Sequence, residues 1–408
     1  MKEDKSHYFI ELEDSYGAHN YHPLPVVIEK ACGVEVWDVN GKKYWDFLSA
    51  YSAVNQGHCH PKIITALQEQ SKKLTLTSRA FHNNLLGPYE KYITNLLGFD
   101  RILPMNTGVE GGESAIKLAR KWGYEVKGIP SNQARVVFAS GNFWGRTIAA
   151  ISSSQDTDSY NNFGPLVPGY DIVPYGDLGQ LEAALSNKNT CAFMVEPIQG
   201  EAGVIVPPPG YLQGVRELCS RYNVLFIADE VQTGLGRTGK LLCCDHENVK
   251  PDILILGKAL GGGVLPVSAV LSSNEVMDVL HPGQHGSTFG GNPLACAVAT
   301  ASLQVLLEEN MIENAAVMGD IFRSRLGEIN SDLILDIRGK GLLNAIDIRP
   351  FGDSKTAYHV CLELLNNGLL AKQTHTHTIR FAPPLLISEN QLHEACDIIE
   401  STILSANS

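Results

Sequence analysis

The stretch 224-VLFIADEVQTGLGRTG-239, followed by 252-DILILGKALGGG-263, decides how the rest of the chain is read. Val224 to Ala228 is an unbroken apolar run that stops on the acidic pair Asp229-Glu230. Such a run predicts a strand buried on both faces, the kind a parallel sheet uses. Ile253 to Leu256 has the same character and stops on Gly257-Lys258. Two neighbouring strands then bring a carboxylate and an amine to one edge of a sheet, where open α/β folds bind ligands. Lysine is rarely buried unless paired, and here Gly257 and Gly261-Gly262-Gly263 surround it. Two readings fit these residues. Lys258 is a Schiff-base lysine, with Asp229 keeping a pyridine nitrogen protonated so that the ring acts as an electron sink; or the two form an ordinary salt bridge at a sheet edge.

Moving outward, 103–108 leads into a helical pattern at 113–122, and strand-like runs at 136–139 and 191–195 are followed by a helical pattern at 212–221. That cadence predicts a parallel sheet with helices on both faces. Thr107-Gly108-Val109 opens a helix and offers N–H groups to a phosphate, although glycine also starts helices simply by turning tightly. Val136–Ala139 runs into 140-SGNFWGR-146, where an aromatic ring at a strand end is placed to stack on a planar group. A further strand is expected at 267–272, beside the Lys258 strand. The glycine-rich loop 285–293 contains Ser287-Thr288, whose hydroxyls are also ordinary cap formers. Residues 153–180 read as one long loop rich in Gly, Pro, Asn and Asp.

The flanks differ. Residues 34–39 and 44–48 form a predicted hairpin around Asn40-Gly41, and 49–61 reads as loop. A single long helical stretch is expected at 294–327. Strands are expected at 334–338 and 342–348, with a helix at 358–366. Arg380 stands alone in the apolar, proline-rich run 379-IRFAPP-384 and needs a bidentate carboxylate partner. The expected division is an N-terminal arm with part of a small domain (1–60), a large domain (61–305) and the rest of the small domain (306–408).

A chain of 408 residues, 44% hydrophobic and 19% charged, has room for these two domains. Its net charge of -12 argues against non-specific nucleic-acid binding, and no apolar run approaches membrane-spanning length. The nine cysteines are scattered without metal-ligand spacing. His58 and His60 lack a third ligand cluster, so loop packing is their better reading and no metal site is expected. The start, MKEDKSHYFIELEDSYG, lacks a signal-peptide core, and Glu3, Asp4, Glu11, Glu13 and Asp14 speak against a transit peptide. A cytoplasmic location is the expectation.

Nine segments in order, among them 16-YGAHNYHPLPV-26, 55-NQGHCHP-61, 104-PMNTGVEGGE-113, 141-GNFWGRT-147, 195-VEPIQGEAG-203, 285-HGSTFGGNP-293 and 379-IRFAPPL-385 beside the two opening stretches, resemble the class III, fold-type I aminotransferases. The likeness covers nearly the whole chain and is nearest to the ornithine aminotransferases. It implies an α/β fold: a large domain with a mostly parallel seven-stranded sheet, and a smaller α+β domain built from both chain ends. It implies pyridoxal 5'-phosphate as cofactor, carried by Lys258, with Asp229 on the pyridine nitrogen and Gln232 on the ring hydroxyl oxygen. Phe143 would stack on the ring, and Gly108, Val109, Ser287 and Thr288 would hold the phosphate. Thr288 would do so in the neighbouring subunit of a homodimer. Tyr21, Tyr51, Arg146, Glu196, Glu201 and Arg380 would surround the substrates, ornithine and 2-oxoglutarate. In that picture Glu201 masks Arg380 while the δ-amine of ornithine reacts and releases it for 2-oxoglutarate. Acetylornithine and 4-aminobutyrate aminotransferases share the Lys258–Asp229 pair, and Tyr21 with Tyr51 favours the ornithine enzymes over both. A non-catalytic binding protein on this fold is the reading from another class; it would have no need of Lys258, Asp229, Gln232 and Arg380 together.

Overall fold

Seven strands make the central sheet, in the order Arg101–Met105, Ser268–Ser272, Ile253–Leu256, Leu225–Asp229, Thr190–Val195, Arg135–Ala139 and Tyr170–Val173. The computed structural model describes residues 5–352 and 355–406, so Glu3 and Asp4 of the acidic start lie outside the described residues. Ser268–Ser272 runs antiparallel to both of its neighbours, and all other pairs are parallel. Alternation along the central strands explains why their sequences are apolar throughout. Leu225, Ile227, Ile253 and Ile255 point into one core with Phe138 and Trp122. Phe226, Ala228, Leu254 and Leu256 point into the other, with Phe193 and Val215. Helix Gly108–Glu125 covers the first face, and helices Tyr211–Arg221 and Pro293–Glu308 contribute to the second.

Two smaller sheets flank this layer. Ile28–Cys32, Glu35–Asp38 and Lys43–Asp46 form an antiparallel meander, to which Leu369–Leu370 adds in parallel, so the two ends of the chain share one sheet. Ile334–Lys340, Leu343–Ile348, Thr378–Phe381 and Lys372–Thr374 form the other. Arg237 ties the layers together. Fully buried, it donates to Asn55 Oδ1 (2.6 and 3.2 Å) and to the carbonyls of Leu342 (2.9 Å) and Pro383 (2.6 Å). Burial among these neutral acceptors brings its pKa down to about 9.

Three expectations are corrected, and the N-terminal arm gains an element. The helical stretch 294–327 is two helices, Pro293–Glu308 and Met311–Gly327, because Asn310 takes a left-handed φ of 53° between them. The loop 153–180 contains a helical turn, Thr157–Tyr160, and the edge strand Tyr170–Val173, whose half-exposed side chains break the apolar signal. The start is a helix, Ser6–Tyr16, with no buried residue. The hairpin's return strand stops at Asp46, because Ser49–Ser52 turns sharply.

Candidate active site

Register sets the geometry of the site. Asp229 is the last residue of its strand and lies opposite Ile255, so Lys258 emerges just beyond the end of the adjoining strand, on the same edge. A cavity of about 210 Å³ opens there, lined by Gly108, Val109, Phe143, Trp144, Gly145, Glu196, Asp229, Val231, Gln232 and Lys258. A second cavity, of about 410 Å³, reaches Lys258 from the side of Ala50, Asn106 and Thr107.

Charge is concentrated in this small volume. Burial pushes the Lys258 amine down to about 8; Glu201 pulls it back up, and Arg380 opposes that pull. Burial raises Asp229 to about 6, although the Val231 N–H (3.0 Å) and Lys258 favour its ionised form. Glu196 is raised to about 8, first by burial and then by Asp229, against N–H bonds from Phe143 (2.9 Å) and Gly200 (3.2 Å). Perturbed groups gathered in one cleft are a mark of chemistry.

Helix Gly108–Glu125 begins at the cavity wall under a capping box. The Thr107 hydroxyl accepts from Glu110 N, and the Glu110 carboxylate accepts from Thr107 N (2.8 Å). The N–H groups of Gly108 and Val109 occupy the first turn, where the helix itself offers no acceptor. Gly145, at φ +145°, lets the opposite wall come close, since a Cβ there would collide with Val109. The residues fit pyridoxal phosphate. They provide an amine of low pKa at the cavity floor, a buried carboxylate on the next strand, an aromatic wall at Phe143 and a helix start for the phosphate.

Beyond the cavity lies a four-residue cluster. Glu201 Oε1 and Oε2 accept from Arg380 (3.0 and 3.4 Å), and Glu201 Oε1 also accepts from Gln232 Nε2 (3.0 Å). The Arg380 guanidinium lies over the Tyr51 ring, 4.7 Å from its centre. Burial alone would raise the Glu201 carboxyl, but Arg380 and Lys258 outweigh it and hold the pKa below the usual range. Burial raises the Tyr51 phenol, against the pull of Arg380.

The structure thus brings together Gly108, Val109, Phe143, Glu196, Asp229, Gln232 and Lys258 at the cavity, and Tyr51, Glu201 and Arg380 beside it. Gln232 joins the two groups, since its amide is engaged with Glu201. Arg146 is exposed and sits 5.6 Å from the centre of the Phe143 ring, with one 3.4 Å bond to Ser159. Tyr21 is 80% exposed on the N-terminal arm, near enough to Tyr51 to act on its charge. Ser287 and Thr288 are not among the lining residues. The Ser287 hydroxyl oxygen accepts from Asn106 Nδ2 (2.9 Å) and Gly290 N (2.9 Å), and Thr288 is exposed. Trp144, Gly145 and Val231 line the cavity without having been singled out; Trp144 sat within the quoted Gly141–Thr147 motif and stacks on Phe138. His58 and His60 bond to Asp46 and Glu309, and no metal-type cluster of His, Cys, Asp or Glu occurs among the described residues.

Comparison with known proteins identifies the family. The class-III aminotransferase family model matches residues 16–403. The chain is 62% identical to rat mitochondrial ornithine aminotransferase, across 98% of this chain and 91% of the relative. It is similar to a Toxoplasma gondii ornithine aminotransferase structure described as having partial occupancy of pyridoxal phosphate at its active site. There the TM-score is 0.97 at 50% identity, over 99% of this chain and 95% of that one. An acetylornithine aminotransferase structure from Elizabethkingia anophelis is also similar, with a TM-score of 0.90 at 58% identity, over 98% and 99%. The expected cytoplasmic location does not stand. The rat relative and its Drosophila melanogaster and Caenorhabditis elegans counterparts are all mitochondrial by name. The acidic residues Glu11, Glu13 and Asp14 lie on the exposed helix Ser6–Tyr16, where acidic side chains are an ordinary solvated face and give no sound basis for a location. With its family model matched almost end to end and the lysine, carboxylate and helix start assembled at one sheet edge, the chain belongs to the class-III aminotransferases, enzymes that use pyridoxal phosphate.

Proposed function

We propose that the protein transfers the δ-amino group of L-ornithine to 2-oxoglutarate. The products are L-glutamate and glutamate 5-semialdehyde, which closes to 1-pyrroline-5-carboxylate. The observation that carries this reading is the Glu201–Arg380 pair held against Tyr51 and joined through Gln232 to the Lys258 cavity. Pyridoxal phosphate, when bound, supplies an aldehyde that condenses with amines and a ring that takes up the electron pair of a broken C–H bond. Asp229 would hold the ring nitrogen, Gln232 the ring hydroxyl oxygen and Phe143 the ring face, and the N–H groups of Gly108 and Val109 would hold the phosphate. Lys258 Nζ removes the proton from the ornithine carbon that bears the δ-amine. In the second half-reaction it delivers a proton to the former keto carbon of 2-oxoglutarate.

Tyr21 and Arg146 hold the α-carboxylate of ornithine, which turns the distal amine toward Lys258. Glu196 closes the substrate side of the cavity. When 2-oxoglutarate replaces ornithine, Glu201 swings away, Arg380 takes the carboxylate beside the keto group and Arg146 takes the far one. The enzyme works as a homodimer in which Thr288 of a second copy completes the phosphate cradle. The exposure of Thr288 outside its own chain's cavity supports this. So does the unburied helix Ser6–Tyr16, with Tyr8, Phe9, Leu12 and Tyr16 all exposed. Sheet membership supports a division at about residues 60 and 305.

Product analysis with ornithine, N-acetylornithine and 4-aminobutyrate as competing donors tests the substrate. Glutamate and trapped pyrroline-5-carboxylate from ornithine are expected. Preference for N-acetylornithine, the reading favoured by the Elizabethkingia likeness, would overturn the substrate assignment and leave the lysine chemistry intact. A pH series adds a second check. Only the neutral amine of Lys258 attacks an aldehyde, so cofactor uptake by the cofactor-free protein should rise with pH and level off above about 8. Uptake still rising toward 10.5, the ordinary lysine value, would show that the site does not depress the amine.

A further inference from the structure

Tyr51 stands in a backbone conformation that its own residues disfavour. Ser49, Ala50, Tyr51 and Ser52 are consecutive non-glycine residues at φ of 48°, 46°, 60° and 71°, a turn of left-handed helix. L-residues visit this region singly rather than in runs, because Cβ crowds the following carbonyl oxygen. Such a turn persists only where its surroundings over-determine it. The hydroxyls of Ser49 and Ser52 are buried without hydrogen-bond partners and contribute no bond to hold it.

Within the turn, Tyr51 N donates to the Leu48 carbonyl (3.0 Å), and Ala53 N and Val54 N donate to the Ser49 carbonyl (2.9 and 3.1 Å); the side chain that ties the turn to its surroundings is Asp46, buried at the end of the Lys43–Asp46 strand. Its Oδ1 accepts from Leu48 N (2.8 Å) and Ser49 N (2.9 Å), which caps the entry to the turn. Its Oδ2 lies 2.7 Å from His58 Nε2, which draws in the chain after it leaves the turn. Between Asp46 and the turn, the Phe47 carbonyl accepts from Ala382 N (2.7 Å), close to Arg380 in sequence. One carboxylate therefore fixes the segment that carries Tyr51 to the face of Arg380.

We infer that Asp46 is a positioning residue for the substrate-carboxylate site. It lines an outer cavity of about 500 Å³ with Tyr21 and Tyr51, is absent from the lining of the cofactor cavity and makes no bond to Arg380; it acts by holding the left-handed turn that delivers Tyr51. The inference rests on the ornithine and 2-oxoglutarate reading and adds a residue to it.

The test compares Asp46→Ala, Asp46→Asn and the double variant D46A/A50G as cofactor-loaded enzymes. Asparagine keeps an Oδ1 acceptor for Leu48 and Ser49, whereas alanine keeps none. D46A should raise KM for 2-oxoglutarate about tenfold or more, the scale of a small misplacement at a binding site. Its cofactor absorbance should be retained, and D46N should stay close to the parent. A50G should restore part of the loss in D46A, because glycine enters the left-handed region without steric cost. Parent-like KM in D46A, or equal impairment of D46A and D46N, would overturn the inference. So would a lowered melting temperature with no change in KM. Should D46A fail to fold, His58→Ala removes one arm of the bracket at a half-buried position and should raise the same KM about threefold; an unchanged KM there would also overturn it. Failure of the parent enzyme to use ornithine would count against the substrate reading, whereas an unmoved KM in an active enzyme counts against Asp46 alone.

Discussion

Lys258→Ala is expected to lower ornithine turnover by more than about a thousandfold and to abolish covalent attachment of the cofactor, with the fold intact. Lys258 supplies the only amine among the residues lining the cavity. The other titratable groups there are poor substitutes. Glu196, raised to about 8, is largely protonated at neutral pH, and Asp229 is committed to the ring nitrogen in the proposed mechanism. Truncation also removes a charge on which both Asp229 and Glu201 act. Cofactor affinity should therefore change less than turnover, because the helix start at Gly108 and the Phe143 wall remain. Hydride reduction followed by intact-mass measurement should find the cofactor's mass on the parent protein and none on the variant. Turnover within tenfold of the parent would end the assignment of the proton-moving role to Lys258.

The machinery around Lys258 was legible in the sequence for a physical reason. Strands buried on both faces have no polar alternation, so Val224–Ala228 and Ile253–Leu256 stand out, and a charge that abruptly ends such a run marks the sheet edge. The cluster around Arg380 was legible only in half. An arginine in an apolar setting demands a carboxylate, but composition offers 44 acidic residues and nothing in the spacing selects Glu201, 179 positions away. That pairing came from the family likeness. The turn at Ser49–Ser52 left no local trace at all. Ser, Ala, Tyr and Ser carry none of the glycine or asparagine signals of left-handed backbone, and their conformation is imposed by Asp46, His58 and the Phe47–Ala382 bond. A conflict between local preference and tertiary restraint is what a functional segment produces. The break at Asn310 and the edge strand Tyr170–Val173 were missed for plainer reasons, a one-residue interruption and a half-exposed strand.

Glu201→Ala is expected to raise the ratio of α- to δ-transamination of ornithine by about tenfold or more, the worth of one exposed bidentate carboxylate site. In the parent, Arg380 is almost wholly buried and its NH1 and NH2 groups are both occupied by Glu201. The pair therefore removes a docking point that would present the α-amine to Lys258, a case of specificity gained by blocking the competitor. Deleting Glu201 leaves a buried guanidinium without its carboxylate, and an incoming α-carboxylate is the group best able to neutralise it. The affinity for α-amino acids such as glutamate should rise as δ-selectivity falls. Glu201→Gln should lie between the two, since an amide still accepts a hydrogen bond from Arg380 but carries no charge. Gln232 also loses its bond to Glu201 in the alanine variant, so cofactor absorbance must be followed in parallel to separate a disturbed ring environment from an opened carboxylate site. An unchanged product ratio with normal cofactor absorbance would show that the Glu201–Arg380 pair does not gate regiochemistry. A ratio that stays raised in E201Q would tie the gate to the charge of Glu201, whereas one that falls back to the parent value would tie it to the space and hydrogen bonds of the side chain.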